Sequence, residues 1–125
     1  MNHFPKISES EWLVMKTLWA NNRATANEIV IMLSESTSWK PKTIKTLLSR
    51  LVKKEAVGFE KQGREYLYYP KLGEDLCVKV ESRSFLKRVF GGAVKPMFAA
   101  LVENEELSKE DIEEIKQLLD KKMEK

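Results

Sequence analysis

At 125 residues with 42% apolar content, the chain can form one compact domain, or a small domain with an oligomerisation arm, around a buried core. No apolar run reaches the ~20 residues of a membrane span, Met1 to Ser8 lack an apolar h-region and a cleavage site, so that no secretion signal is expected, and a single cysteine, Cys77, excludes an internal disulfide. The expectation is a cytoplasmic protein with no membrane partner. The net charge of +3 hides an uneven distribution: residues 1–39 carry −1, residues 40–64 carry +6 and residues 65–125 carry −2. A basic segment between near-neutral flanks is either a localised contact with a polyanion or a solvated helix face.

The first helix is announced by Ser8-Glu9-Ser10-Glu11. In this pattern a hydroxyl and a carboxylate three residues apart satisfy free N–H groups at a helix start. Trp12, Met15, Leu18 and Trp19 then recur at helical spacing as a buried stripe, and Asn21-Asn22 ends the helix near Ala20. Thr25-Ala26-Asn27-Glu28 opens a second helix, to about Ser34, with Ile29, Val30 and Leu33 inward. Ser36-Thr37-Ser38 is a polar break. A third helix begins at Pro41, whose missing N–H has no intrahelical partner at a first position, and runs to about Lys54. Its Ile44, Leu47, Leu48 and Leu51 form a core-facing row. The period then changes. Val57 to Lys61 reads as a strand, Gln62-Gly63-Arg64 as a turn, and Tyr66 to Tyr69 as a second strand ending at Pro70.

Three helices and a basic hairpin in about 65 residues form the pattern of a winged helix-turn-helix. The domain organisation expected is residues 1–72 for this unit and 73–125 for a helical dimerisation arm. The fold class is mostly α with a small β-hairpin. In the arm, Glu74 to Phe90 reads as a helix ended by Gly91-Gly92, Ala93 to Glu103 as another, and Lys109 to Met123 as a last one opened by Ser108 and Asp111. Phe85, Leu86, Val89, Phe90, Met97, Phe98, Leu101, Ile112, Ile115 and Leu119 exceed what short helices bury among themselves. They point to an identical partner chain or, alternatively, to packing back on the first unit.

The outward set of the third helix is Lys42, Thr43, Lys45, Thr46, Ser49, Arg50 and Lys53, with Lys40 just before it. Lysine and arginine neutralise phosphates. Arginine and lysine also donate to guanine, and the threonine methyl meets the thymine methyl. An α-helix fits the major groove with its N-terminal residues at the base edges, so Lys42, Thr43 and Thr46 are the base-contact candidates and Arg50 reaches a base or a phosphate. Lys61 and Arg64, at the hairpin tip, follow the adjacent backbone or minor groove. Double-stranded DNA is the expected partner. Enzyme chemistry finds no support. His3 is the only histidine, Cys77 sits among apolar neighbours, one His and one Cys make no zinc site, and no phosphate-binding Gly-rich loop occurs. No cofactor or metal is implied.

Ile7 to Met15 with Trp19, Trp39 to Leu51, Ser82 to Leu86 and Leu107 to Ile112 together resemble the BlaI/MecI family of penicillinase repressors. The resemblance covers almost the whole chain, and the Trp39–Leu51 segment is its most specific part. It implies an N-terminal winged helix, a C-terminal helical dimer arm, and a palindromic operator with TACA/TGTA half-sites controlling β-lactamase or penicillin-binding-protein genes. It also implies a membrane sensor that triggers cutting by an inactivating protease at an Asn-Phe bond in the middle C-terminal helix. The aligned pair here is Ala100-Leu101, a departure from that pattern. Copper-responsive relatives carry paired Cys-X-Cys motifs, which this chain lacks. The function expected is sequence-specific repression by a homodimer. The alternatives are a non-specific architectural DNA binder and a winged-helix protein-interaction module.

Overall fold

The computed structural model describes residues 4–124, so His3 lies outside the described residues. The element order is α1 (Glu9–Asn21), β1 (Ala24–Thr25), α2 (Ala26–Ser34), α3 (Pro41–Lys53), β2 (Val57–Gln62), β3 (Glu65–Pro70), α4 (Glu74–Phe90), α5 (Val94–Asn104) and α6 (Lys109–Met123). Two compact units divide within α4, one extending to Lys79 and the other beginning at Val80.

Local chemistry explains the helix starts. At α1 the Ser8 N–H donates to Glu11 Oε1 at 2.8 Å and the Glu11 N–H donates back to Ser8 Oγ at 3.2 Å. Thr25 and Glu28 repeat the exchange at α2, and Ser108 and Asp111 at α6. Each pair satisfies two backbone groups that lack intrahelical partners. Helix α3 opens instead on Pro41, with Lys40 as N-cap and no side-chain cap. At its other end the Ala56 N–H reaches Leu51 O at 3.0 Å and the Glu55 N–H reaches Val52 O at 3.0 Å. That 6→1 and 5→2 pairing places Glu55 in the left-handed region, at φ 62°.

In the first unit α1, α2 and α3 pack around a core of Val14, Met15, Leu18, Ile29, Leu33, Ile44, Leu47, Leu48 and Leu51, closed by Ala24, Ala56 and Val57. The row expected on α3 is buried throughout. On α1 the apolar stripe centres on Val14, Met15 and Leu18, while Trp12 and Trp19 are half-buried at its edge, with ring centroids 5.5 Å apart. Trp19 Nε1 donates to Leu72 O at 2.9 Å, which fixes the chain just before α4.

The sheet is antiparallel in the order β1-β3-β2. Strand β1 is two residues long, pairs Ala24 with Tyr68 and Thr25 with Leu67, and was not foreseen from the sequence. The β2–β3 hairpin closes on Gly63-Arg64 between the paired Gln62 and Glu65. Gly63 has φ +64°, the conformation the first position of such a two-residue turn requires. Farther in, Gly58 lies opposite Tyr69, and a Cβ there would meet the tyrosine ring at 2.6 Å.

In the second unit no residue of α5 or α6 is buried. Leu86 and Met97 line an apolar groove between α4 and α5 with Gly92 and Val94. Phe98, Ile112, Ile115 and Leu119 line another between α5 and α6. Among the described residues no helix is long and apolar enough to cross a membrane.

Candidate nucleic-acid interface

Burial of Ile44, Leu47, Leu48 and Leu51 fixes the rotation of α3, and that rotation decides which side chains face solvent. Lys42, Thr43, Lys45, Thr46, Ser49, Arg50 and Lys53 are all exposed, as is Lys40 at the N-cap. At 3.6 residues per turn, Lys42, Thr46, Ser49 and Lys53 project most directly away from the core row. Thr43 and Arg50 share one flank of that strip and Lys45 lies on the other. Among the described residues none of the cations on this face is in an ion pair. Thr46 Oγ1 donates to Lys42 O at 2.9 Å, so its methyl is the group left outward for a partner. Arg50 and Lys53 lie in the last turn of α3, where the helix dipole favours positive charge.

Lys54 belongs to the same basic segment but has another task. Its Nζ lies 2.6 Å from Glu11 Oε1 and 2.7 Å from Lys6 O. Glu11 is 1% exposed, the one buried charged residue among the described residues. Burial pushes the Glu11 carboxyl up, but the hydrogen bonds from Lys54 and Ser8 and the Lys54 charge together hold it below the usual carboxylate range. The signal for this burial was present in the sequence. Ile7, Glu11, Val14, Met15 and Leu18 follow one helical face, and a carboxylate on that face needs a cation.

The wing carries Lys61 and Arg64, both exposed. Its root is tied down by Arg23, whose Nη1 lies 2.8 Å from Glu60 Oε1 and whose guanidinium sits 5.5 Å from the Tyr69 ring centroid. A shallow depression joins the wing to the helices and is lined by Thr25, Ala26, Asn27, Lys45, Glu65, Tyr66 and Tyr68. Asn27 and Tyr66 were not among the expected contact residues. Burial, with the neighbouring Tyr66 adding to it, pushes the Tyr68 phenol above its ordinary value. Burial also pushes the Cys77 thiol up, with the Glu74 charge contributing, so Cys77 is packing rather than a nucleophile. Among the described residues no group of three His, Cys, Asp or Glu could hold a metal ion.

Comparison with known proteins matches this arrangement. Residues 7–121 fit the family model described as penicillinase repressor. Over 120 residues the chain is 40% identical to the penicillinase repressor of Bacillus licheniformis, covering 96% of this chain and 94% of that protein. It is 35% identical over 117 residues to the methicillin resistance regulatory protein MecI of Staphylococcus aureus strain N315, covering 94% of this chain and 95% of that one. The solution structure of monomeric B. licheniformis BlaI in complex with the blaP half-operator superimposes with a TM-score of 0.53 at 41% identity, over 60% of this chain and 92% of that chain. The apo crystal structure of MarR from E. coli covers 94% of this chain and 78% of its own at 17% identity and a TM-score of 0.54, a likeness of fold alone.

Proposed function

Because the chain belongs to the penicillinase repressor family, we propose that it is a DNA-binding repressor whose homodimer occupies a palindromic operator of TACA/TGTA-like half-sites. In this reading the genes it controls are those of β-lactam resistance or related ones. The observation that carries the reading is the exposed, unpaired face of α3, held in place by four buried aliphatic side chains. Lys42, Thr43 and Thr46 read base edges in the major groove, and Lys40, Lys45, Ser49, Arg50, Lys61 and Arg64 hold phosphates. The related structure in complex with a half-operator supports this use of the fold. Occlusion of the promoter then represses without enzymatic chemistry.

Dimerisation is supported by the second unit. Phe85, Val89, Phe98, Leu101, Ile112 and Leu119 are between 38% and 53% exposed in the single chain. Leu86, Phe90, Met97 and Ile115 are half-buried beside them. A second copy is the simplest cover for such a surface, and linking two half-sites raises affinity about a hundredfold or more. Ala100 and Leu101 lie within α5, and Asn104 Nδ2 donates to Ala100 O at 2.8 Å. A protease needs extended backbone, and the Asn-Phe pair that the family's protease would read is absent. We therefore infer that this bond is not the site of induction. Mass spectrometry of protein from β-lactam-treated source cells tests it, and a fragment ending at Ala100 refutes it.

Footprinting on promoter DNA from the source genome tests the main proposal. A protected palindrome with two-fold contacts is expected. Uniform protection without sequence preference would make the chain an architectural binder. No binding at low salt would reassign the fold to protein interaction.

A further inference from the structure

The face of the wing that turns toward the helices is aromatic beyond the point where the core ends. Alternation along β2 puts Val57, Phe59 and Lys61 on that face, opposite Pro70, Tyr68 and Tyr66 of β3. At the inner end Val57 is buried and Tyr68 packs against the core. At the outer end Phe59 is 47% exposed and Tyr66 is 46% exposed. Their rings are edge-to-face, with centroids 5.0 Å apart at 75°. Strand β1 stops at the Thr25–Leu67 pair, so among the described residues no third strand flanks Tyr66. Lys61 is the cross-strand partner of Tyr66, and Lys45 of α3 lines the same depression as Tyr66.

We propose that Phe59 and Tyr66 form an apolar contact with the deoxyribose edge of the duplex held by α3, a contact separate from phosphate pairing by Lys61 and Arg64. The proposal rests on the repressor reading. Two large rings held half in solvent lose little conformational freedom when they are covered. In duplex DNA the base faces are stacked away, so the apolar surface within reach of a wing is the C–H face of the sugars. Each sugar lies between two phosphates. The wing offers the matching order, with Lys61 the cross-strand partner of Tyr66 and Lys45 lining the same depression. Glu65, the one carboxylate lining the depression, repels phosphate there and leaves the aromatic edge as the attractive part of β3. The depression brings Tyr66 of this edge together with Lys45 on the flank of α3, so one duplex can meet both.

The test is a salt titration of binding by the full-length chain to a fluorescein-labelled duplex carrying the TACA/TGTA palindrome. Phosphate contacts set the slope of affinity against salt, whereas an uncharged sugar contact changes affinity and leaves the slope alone. Tyr66→Ala and Phe59→Ala are each expected to weaken binding about tenfold at every salt concentration. Tyr66→Phe keeps the ring and should bind like the parent. If the rings serve only to stiffen the hairpin, their loss also frees Arg64, and the slope falls together with affinity; that result overturns the proposal. Parent-like binding by Tyr66→Ala and Phe59→Ala also refutes it and leaves the repressor reading standing. Failure of the parent chain to bind the duplex overturns both.

Discussion

The two units are built from similar proportions of apolar residue yet use them differently. In the first, three helices and a sheet enclose Val14, Met15, Leu18, Ile29, Ile44 and Leu51 with no exposure at all. In the second, α5 and α6 bury nothing completely, and their large apolar side chains sit half in solvent. The difference lies in geometry more than in composition. Three helices crossing over a sheet present several faces to one centre, whereas short consecutive helices give each apolar row one neighbour and leave its other side open. The first unit therefore carries its own stability and can present α3 rigidly. The second leaves its apolar rows open in the single chain, and under the proposed dimerisation its state should depend on concentration.

Core truncation probes this contrast most strongly. Leu48→Ala, at a fully buried position of α3, should destabilise the first unit by about 2–5 kcal/mol. Leu101→Ala, at a position 51% exposed in the single chain, should leave that unfolding transition in place and instead raise the concentration at which dimers form. Urea denaturation of each variant, paired with sedimentation over a range of concentrations, measures both quantities. Equal losses of unfolding stability would break the comparison.

Acid should attack the first unit from within. Glu11 has a folded value below the 4.5 of the free carboxyl, so it contributes stability above pH 4.5 that is lost as pH falls through its lower folded value. Glu11→Gln can keep the capping exchange with Ser8 but leaves Lys54 without its charge partner. It should cost about 1–3 kcal/mol at neutral pH and flatten the acid limb of a stability-against-pH curve. A variant that keeps the parent's acid limb would show that another group sets it.

Two adjacent lysines sharpen the point on a smaller scale. Lys53→Ala should lower the salt slope of DNA binding by about one unit and leave stability nearly unchanged. Lys54→Ala should do the reverse, because its ammonium is committed to Glu11 and Lys6. Equal salt slopes for the two variants would mean that the ion pair opens on DNA. Smallest of all, Glu55→Gly should stabilise by about 0.5 kcal/mol. Glycine relieves the left-handed strain at φ 62°, partly offset by its freer unfolded chain. The 3.8 Å pair with Lys71 that it removes is exposed and contributes little. A thermal melt resolves the direction.

Much of this molecule follows from local sequence. Capping pairs set the starts of α1, α2 and α6 because a hydroxyl and a carboxylate three residues apart need nothing from the rest of the chain. Pro41 and the Ile44–Leu51 row set the position and rotation of α3, and with them the outward set of contact candidates. Gly63 set the wing turn. Other features required residues far apart in sequence to meet. Strand β1 exists only because Ala24 and Thr25 pair with β3, and two residues carry no periodicity of their own. Glu11 can be buried only because Lys54, 43 positions away, delivers a cation to it. Lys54 is thereby withdrawn from the DNA-facing charge that a linear count assigns it. Lys45, Asn27 and Tyr66 line one depression although they come from α3, α2 and β3. Periodicity can say which way a side chain points from its own element, and only packing decides what it then meets.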